Sequence, residues 1–155
     1  MVVLTEEERR EIEKEIRQNG HKRAAVVEVL KLVQKRRGWV SDEIDDLAVE
    51  LDMTPAELDA VATFYSLIFR KPVGKHVILI CDSVTCWIME YEKMLDHLTA
   101  RLGVHLGETT ADGQFTLLPV ACLGVCDHAP AMMVDETLYT DLTPGKIDAI
   151  LEEYR

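Results

Sequence analysis

Four cysteines in two close pairs constrain this chain more than anything else in its 155 residues. Four residues lie between Cys81 and Cys86, three between Cys122 and Cys126, and 35 between the two pairs. A fold that uses them together must bring two distant segments to one place. Thiolates are soft ligands that select Zn²⁺, Cu(I) or iron–sulfur clusters. Zinc knuckles usually have two-residue gaps, because a short turn closes on a single ion. Wider gaps suit a rhombic two-iron core in which each pair grips its own iron. The spacing also differs from the plant-type ferredoxin pattern. It therefore favours a two-iron cluster, with zinc as the alternative.

Nearly half the residues are apolar, so a folded core is expected rather than disorder. The opening residues become charged at once and have no apolar stretch of the secretory kind. No apolar run approaches the roughly 20 residues of a membrane span. A cytosolic, soluble chain is expected, in which structural disulfides are the poorer account of the cysteines. The net charge of −11 is uneven: residues 76–145 hold two basic residues against ten acidic ones. That excess lies around the cysteines and would repel phosphate backbones, so no nucleic-acid partner is expected. Lys35-Arg36-Arg37 is too short to reverse this and reads as a solvated helix end.

The pattern predicts an α+β chain. Thr5 and Glu8 form a capping-box signature for a charged helix through about Gln18. Residues 22–37 place Ala25, Val26, Val29, Leu30, Leu32 and Val33 along one broad face, and Gly38 closes that helix. Ser41 is the expected cap of a third helix, and Thr54-Pro55 opens a fourth running towards Leu67. These make a small helical bundle over residues 1–72.

After Pro72 the register changes, and residues 73–155 form the second domain. His76 to Ile80 is an apolar run suited to a central strand, ending at Cys81. A helix is expected over 87–102, a strand over 115–120 ending just before Cys122, and a hairpin over 131–140 turning at Asp135-Glu136-Thr137. Thr143-Pro144 opens a last helix reaching Tyr154. The order β-α-β-β-β-α suggests a small α/β domain.

The cysteines carry the chemistry. Gly124 lets the backbone adopt positive φ and aim amides at sulfur. Leu123, Val125, Val84 and Trp87 are candidate shields of the centre, or ordinary core. Asp82 and Asp127 each adjoin a ligand position and would make the centre hard to reduce. His128 and His76 are expected to stay outside the ligand set, since four cysteines already suffice. No catalytic triad or glycine-rich phosphate loop is present, and a thiol oxidoreductase would need a C-x-x-C dithiol, which is absent.

Val61-Ala62-Thr63-Phe64-Tyr65-Ser66, Cys81-Asp82-Ser83-Val84-Thr85-Cys86 and Cys122-Leu123-Gly124-Val125-Cys126 with Ala129-Pro130 resemble the E subunit of bacterial NADH-quinone oxidoreductase, respiratory complex I. The likeness extends to Asp112-Gly113-x-Phe115 and Leu142-Thr143-Pro144. It implies a helical part joined to a thioredoxin-like [2Fe-2S] domain, with Cys81, Cys86, Cys122 and Cys126 as ligands. It implies an electron-transfer subunit, not catalytic alone, that exchanges single electrons with FMN. FMN and NADH would be bound by the neighbouring F subunit, with the G subunit adjoining. All would lie in a peripheral arm at the cytoplasmic face of the inner membrane. Related subunits of NAD-dependent formate dehydrogenases and NAD-reducing hydrogenases are the nearest alternatives. Phe64, Tyr65 and Phe69 are candidate anchors of the helical half on the flavin-binding partner.

Overall fold

The computed structural model describes residues 4–40 and 44–155. Two compact units separate at the proline, Met1–Pro72 and Val73–Arg155. Each has its own apolar core.

The first unit is helical. α1 (Glu6–Asn19) is strongly polar, and its start is held by local chemistry rather than by a broad apolar face. Thr5 Oγ1 accepts from the Glu8 amide at 3.2 Å, and Glu8 Oε2 accepts from the Thr5 amide at 2.8 Å. The same Glu8 carboxylate takes the Arg37 guanidinium, with Nη2 at 2.8 and 2.9 Å from its two oxygens. That guanidinium belongs to the end of α2 (Val26–Arg37), and Arg36 beside it pairs with Glu11 at 2.7 Å. The basic run is thus a clasp between two helices, not only a solvated end. Beneath it Ile12, Val29, Leu30 and Val33 are buried.

A 3₁₀ turn over Lys22–Ala25 precedes α2, with the His21 ring accepting from the Ala24 amide. Helical pattern alone merges this turn with α2. α3 (Asp45–Glu50) is short, and the expected cap Ser41 lies outside the described residues. α4 (Pro55–Phe64) opens on a second complete capping box, Thr54 with Glu57. It stops short of Leu67 because the following segment is held elsewhere. Gln34 on α2 donates to the Leu67 carbonyl at 2.9 Å and accepts from the Phe69 amide at 2.6 Å.

The second unit is built on a four-stranded sheet. β1 (His76–Cys81) lies at its centre, parallel to β2 (Phe115–Val120) and antiparallel to β3 (Met132–Val134), which pairs with β4 (Thr137–Tyr139). The sheet order is β2-β1-β3-β4. Burial of β1 on both faces explains its unbroken apolar run. Before β1, Gly74 passes so close to β2 that an added Cβ would lie 2.9 Å from the Phe115 carbonyl carbon. The hairpin turns at Asp135-Glu136, with Thr137 already paired to Val134.

The crossover from β1 to β2 is two helices rather than one. α5 (Val84–Ile88) ends at Met89, Glu90 takes a left-handed conformation at φ 66°, and α6 (Tyr91–Leu102) starts anew. α7 (Pro144–Glu153) packs beside α6, where Asp148 accepts from His97 at 2.9 Å and from Arg101 at 2.7 Å. Met94, Leu98, Ile147 and Leu151 close the core over Ile78 and Leu117.

Glu8 provides the test of the first unit. Burial pushes its carboxyl pKa up, but the Thr5 amide and the Arg37 guanidinium outweigh burial and hold it below the ordinary value. Glu8→Gln keeps a capping-box side chain and removes the charge. It should destabilise the unit by about 2 kcal/mol in denaturant titration. A depressed folded-state pKa means this stability is present above the unfolded carboxyl pKa and disappears as pH falls through the folded one. The gap between the two proteins should therefore be full above about pH 5 and close in more acid solution.

Candidate metal centre

β1 and β2 run parallel, and their pairing ends at Cys81 opposite Val120. Both strands therefore deliver their following segments to the same end of the sheet. Cys81 is the last residue of β1, and the Asp82 amide donates to the Val120 carbonyl at 2.8 Å. Cys86 is on α5 rather than in a loop and is that helix's buried residue. Cys122 lies in the segment after β2, and Cys126 opens a 3₁₀ turn over Cys126–His128.

All four thiols are free, with Cys81 and Cys86 buried and Cys122 and Cys126 exposed. The structure gathers them as two pairs. Cys81 and Cys86 each shift the other's pKa, and the Cys122 and Cys126 sulfurs lie 4.0 Å apart. The Leu123 amide, from the second segment, helps to lower the pKa of Cys81 in the first. Among the described residues, no three His, Cys, Asp or Glu side chains close around a single ion position. Each of the two thiol pairs could hold one metal of a sulfide-bridged two-metal core.

The electrostatics favour anionic sulfur at Cys81. Burial pushes the Cys81 thiol up, yet hydrogen bonds from Ser83, the Leu123 amide and Cys86 outweigh it, and its pKa falls below the ordinary value. Cys86 moves the other way, raised by burial and by its bond to Cys81. Gly124 adopts φ 79°, and its amide lies 3.3 Å from the Cys122 sulfur. The Ala131 amide acts against the upward shift of Cys86. A set of soft thiolates met by backbone N–H groups fits an iron–sulfur group. Tyr91, buried nearby, has its pKa raised by burial, by Asp82 and by Cys81, which marks the field as negative.

Several residues depart from expectation or were hidden from it. Leu123 and Val125 are half-buried and pack on the domain core. Val84 and Trp87 are 72% and 59% exposed, so they do not bury the centre. A five-residue helix has room for one inward position, and Cys86 takes it. Asp82 and Asp127 are exposed, where solvent weakens their influence. The His128 ring pairs with Asp141 at 3.2 Å, and His76 with Asp135 at 2.7 Å. The Ser83 hydroxyl, 3.6 Å from the Cys81 sulfur, has a visible signal only in its position between two cysteines. The amides of Leu123 and Ala131 have none, because every residue but proline carries one.

Residues 12–155 match the family model described as thioredoxin-like [2Fe-2S] ferredoxin. The chain is 48% identical over 153 residues to the E subunit of NADH-quinone oxidoreductase from Pseudomonas aeruginosa, covering 98% of this chain and 92% of that one. The Escherichia coli E subunit gives the same identity and coverage. Among solved structures, the crystal structure of an NAD⁺-reducing [NiFe]-hydrogenase in the air-oxidised state aligns with a TM-score of 0.67 and 27% identity over 80% of this chain. The match spans only 22% of that hydrogenase chain.

Gly124→Ala tests the exposed pair. A methyl group there meets nothing within 4 Å, so the change acts through the backbone, whose φ 79° disfavours an L side chain. The cost should be about 1 kcal/mol, a shift of several degrees in Tm for a domain of this size. If the pair holds metal, its release to a chelator, monitored by absorbance, should speed up by about tenfold as the contact of the Gly124 amide with the Cys122 sulfur is weakened.

Proposed function

The chain belongs to the thioredoxin-like [2Fe-2S] ferredoxin family, and from that membership we propose that it is the electron-transfer subunit of an NADH-quinone oxidoreductase. The observation that carries this reading is the pairing of four thiols at one sheet end in a chain nearly half identical to the E subunits along almost its full length. Cys81 and Cys86 would hold one iron of a [2Fe-2S] cluster, and Cys122 and Cys126 the other. When bound, the cluster supplies a one-electron couple.

This chain's residues do the rest. The strand ends fix the sulfur positions, and the amides of Leu123, Gly124 and Ala131 partly neutralise sulfur charge. The acidic surroundings oppose an added electron, so the potential is low. FMN and NADH belong to the partner F subunit, which passes electrons singly to and from this site. The G subunit adjoins in a peripheral arm at the cytoplasmic face of the inner membrane. No described helix is long and apolar enough to cross a membrane, which agrees with attachment through other subunits. In this division of labour residues 73–155 carry the cluster and residues 1–72 dock. Phe64 and Tyr65 support docking, being 81% and 44% exposed, while Phe69 is half-buried. The corresponding subunit of an NAD-reducing hydrogenase is the second reading. It is the less favoured, at 27% identity against 48% for the E subunits.

Iron and acid-labile sulfide should each approach about two per chain in anaerobically purified protein, with an EPR signal appearing only on strong reduction. Stoichiometric zinc in colourless protein would overturn the reading. Phe64→Asp should leave the colour intact and weaken binding to the flavin-binding partner by at least about tenfold, measured by titration of that purified partner. Undiminished affinity would move docking to the cluster domain.

A further inference from the structure

Ser83 stands at the head of α5 in extended backbone, φ −100° and ψ 162°, yet makes no side-chain capping bond. Thr5, Thr54 and Thr143 hold the same place before α1, α4 and α7, and each accepts a hydrogen bond from an amide of its own helix. A serine at this position ordinarily does likewise, to the benefit of the helix. Here the hydroxyl lies 3.6 Å from the Cys81 sulfur instead. The chain has turned a capping group away from its helix and towards the buried cysteine pair.

We propose that the Ser83 hydroxyl donates to the Cys81 thiolate and raises the reduction potential of the cluster held by the four cysteines. The inference rests on the two-iron reading above and assigns Ser83 as a positioning residue acting through sulfur. Reduction adds one electron and no proton, and the hydroxyl keeps its hydrogen throughout. The added charge is shared by the sulfur ligands, so a donor on sulfur stabilises the reduced form more than the oxidised one. Ser83 therefore works against the acidic surroundings of the site. Leu123, Gly124 and Ala131 act in the same direction, but through backbone amides that side-chain substitution does not remove. Ser83 is the donor that mutation can delete.

The experiment is a redox titration of the purified, cluster-loaded full chain followed by EPR. Ser83→Ala should shift the one-electron equilibrium about tenfold towards the oxidised form, a fall of about 59 mV in midpoint potential. Ser83→Thr, which keeps the hydroxyl, should stay near the wild-type value. Ser83→Val repeats the comparison at the shape of threonine, so that the Thr/Val pair decides the matter if the alanine variant fails to retain its cluster. Hydroxyl-free variants with an intact EPR signal and a potential within about 10 mV of wild type, less than a twofold change, would overturn the proposal. So would a threonine variant that falls as far as the valine one, which would assign the shift to packing. Cluster loss from both alanine and valine variants with retention in threonine would make Ser83 structural and overturn it too. Wild-type protein without a two-iron EPR signal is a different outcome, since it refutes the cluster reading itself.

Discussion

The parallel pairing of β1 with β2 is the constraint on which the centre depends. Antiparallel neighbours would send the chain off opposite ends of the sheet, whereas parallel ones leave from the same end and need a long crossover between them. With Cys81 opposite Val120, the residues that follow each strand begin side by side. The segment that holds Cys122 therefore starts beside Cys81 although a whole crossover lies between them. That connection holds α5 and α6, and α5 places Cys86 beside Cys81. Crevices at the carboxyl ends of parallel strands are where open α/β sheets usually place ligands. Here Cys81 closes β1 and Cys122 follows shortly after β2.

Much of this was legible in the chain. The Thr5–Glu8 and Thr54–Glu57 signatures mark real helix starts, because a capping box is a local arrangement specified by two side chains three residues apart. The unbroken run from His76 to Ile80 reads as a central strand because burial on both faces leaves no polar position. The paired cysteines are read from the sequence, and the structure sets both pairs at one end of the sheet. What stayed hidden depends on tertiary contacts or on backbone choice. Nothing in Ile88-Met89-Glu90-Tyr91 announces that Glu90 will take a left-handed conformation and split one expected helix into two. α4 ends early because Gln34, far away in sequence, holds the segment beyond it. The outward turn of Val84 and Trp87 follows from which face of a short helix Cys86 needed.

Charge is used differently in the two units. In the first, Glu8, Glu11, Arg36 and Arg37 meet as opposite signs between helices, and the most buried of them serves as a cap as well. In the second, acidic residues far outnumber basic ones along the segment that holds the sulfurs, and the neutral Gly124 N–H dipole meets the Cys122 sulfur at close range. Such dipoles stabilise charge without adding a counter-ion, so they leave the net sign of the surface unchanged. A negative site is thus kept negative at long range while its sulfurs are solvated at short range.

β1, an inner strand of the sheet, is the first strand to be synthesised and must wait longest for company. Its parallel neighbour does not begin until Phe115, and its antiparallel one not until Met132. Throughout that interval Val77 to Ile80, buried on both faces in the finished protein, have no sheet partner. Pairings so distant in sequence form slowly, since loop closure must precede any gain from contact. The helical unit, complete by Pro72, has no such delay. An emerging chain would present a folded amino-terminal half followed by an uncovered apolar strand, and that strand is the segment with most need of protection from association during biogenesis.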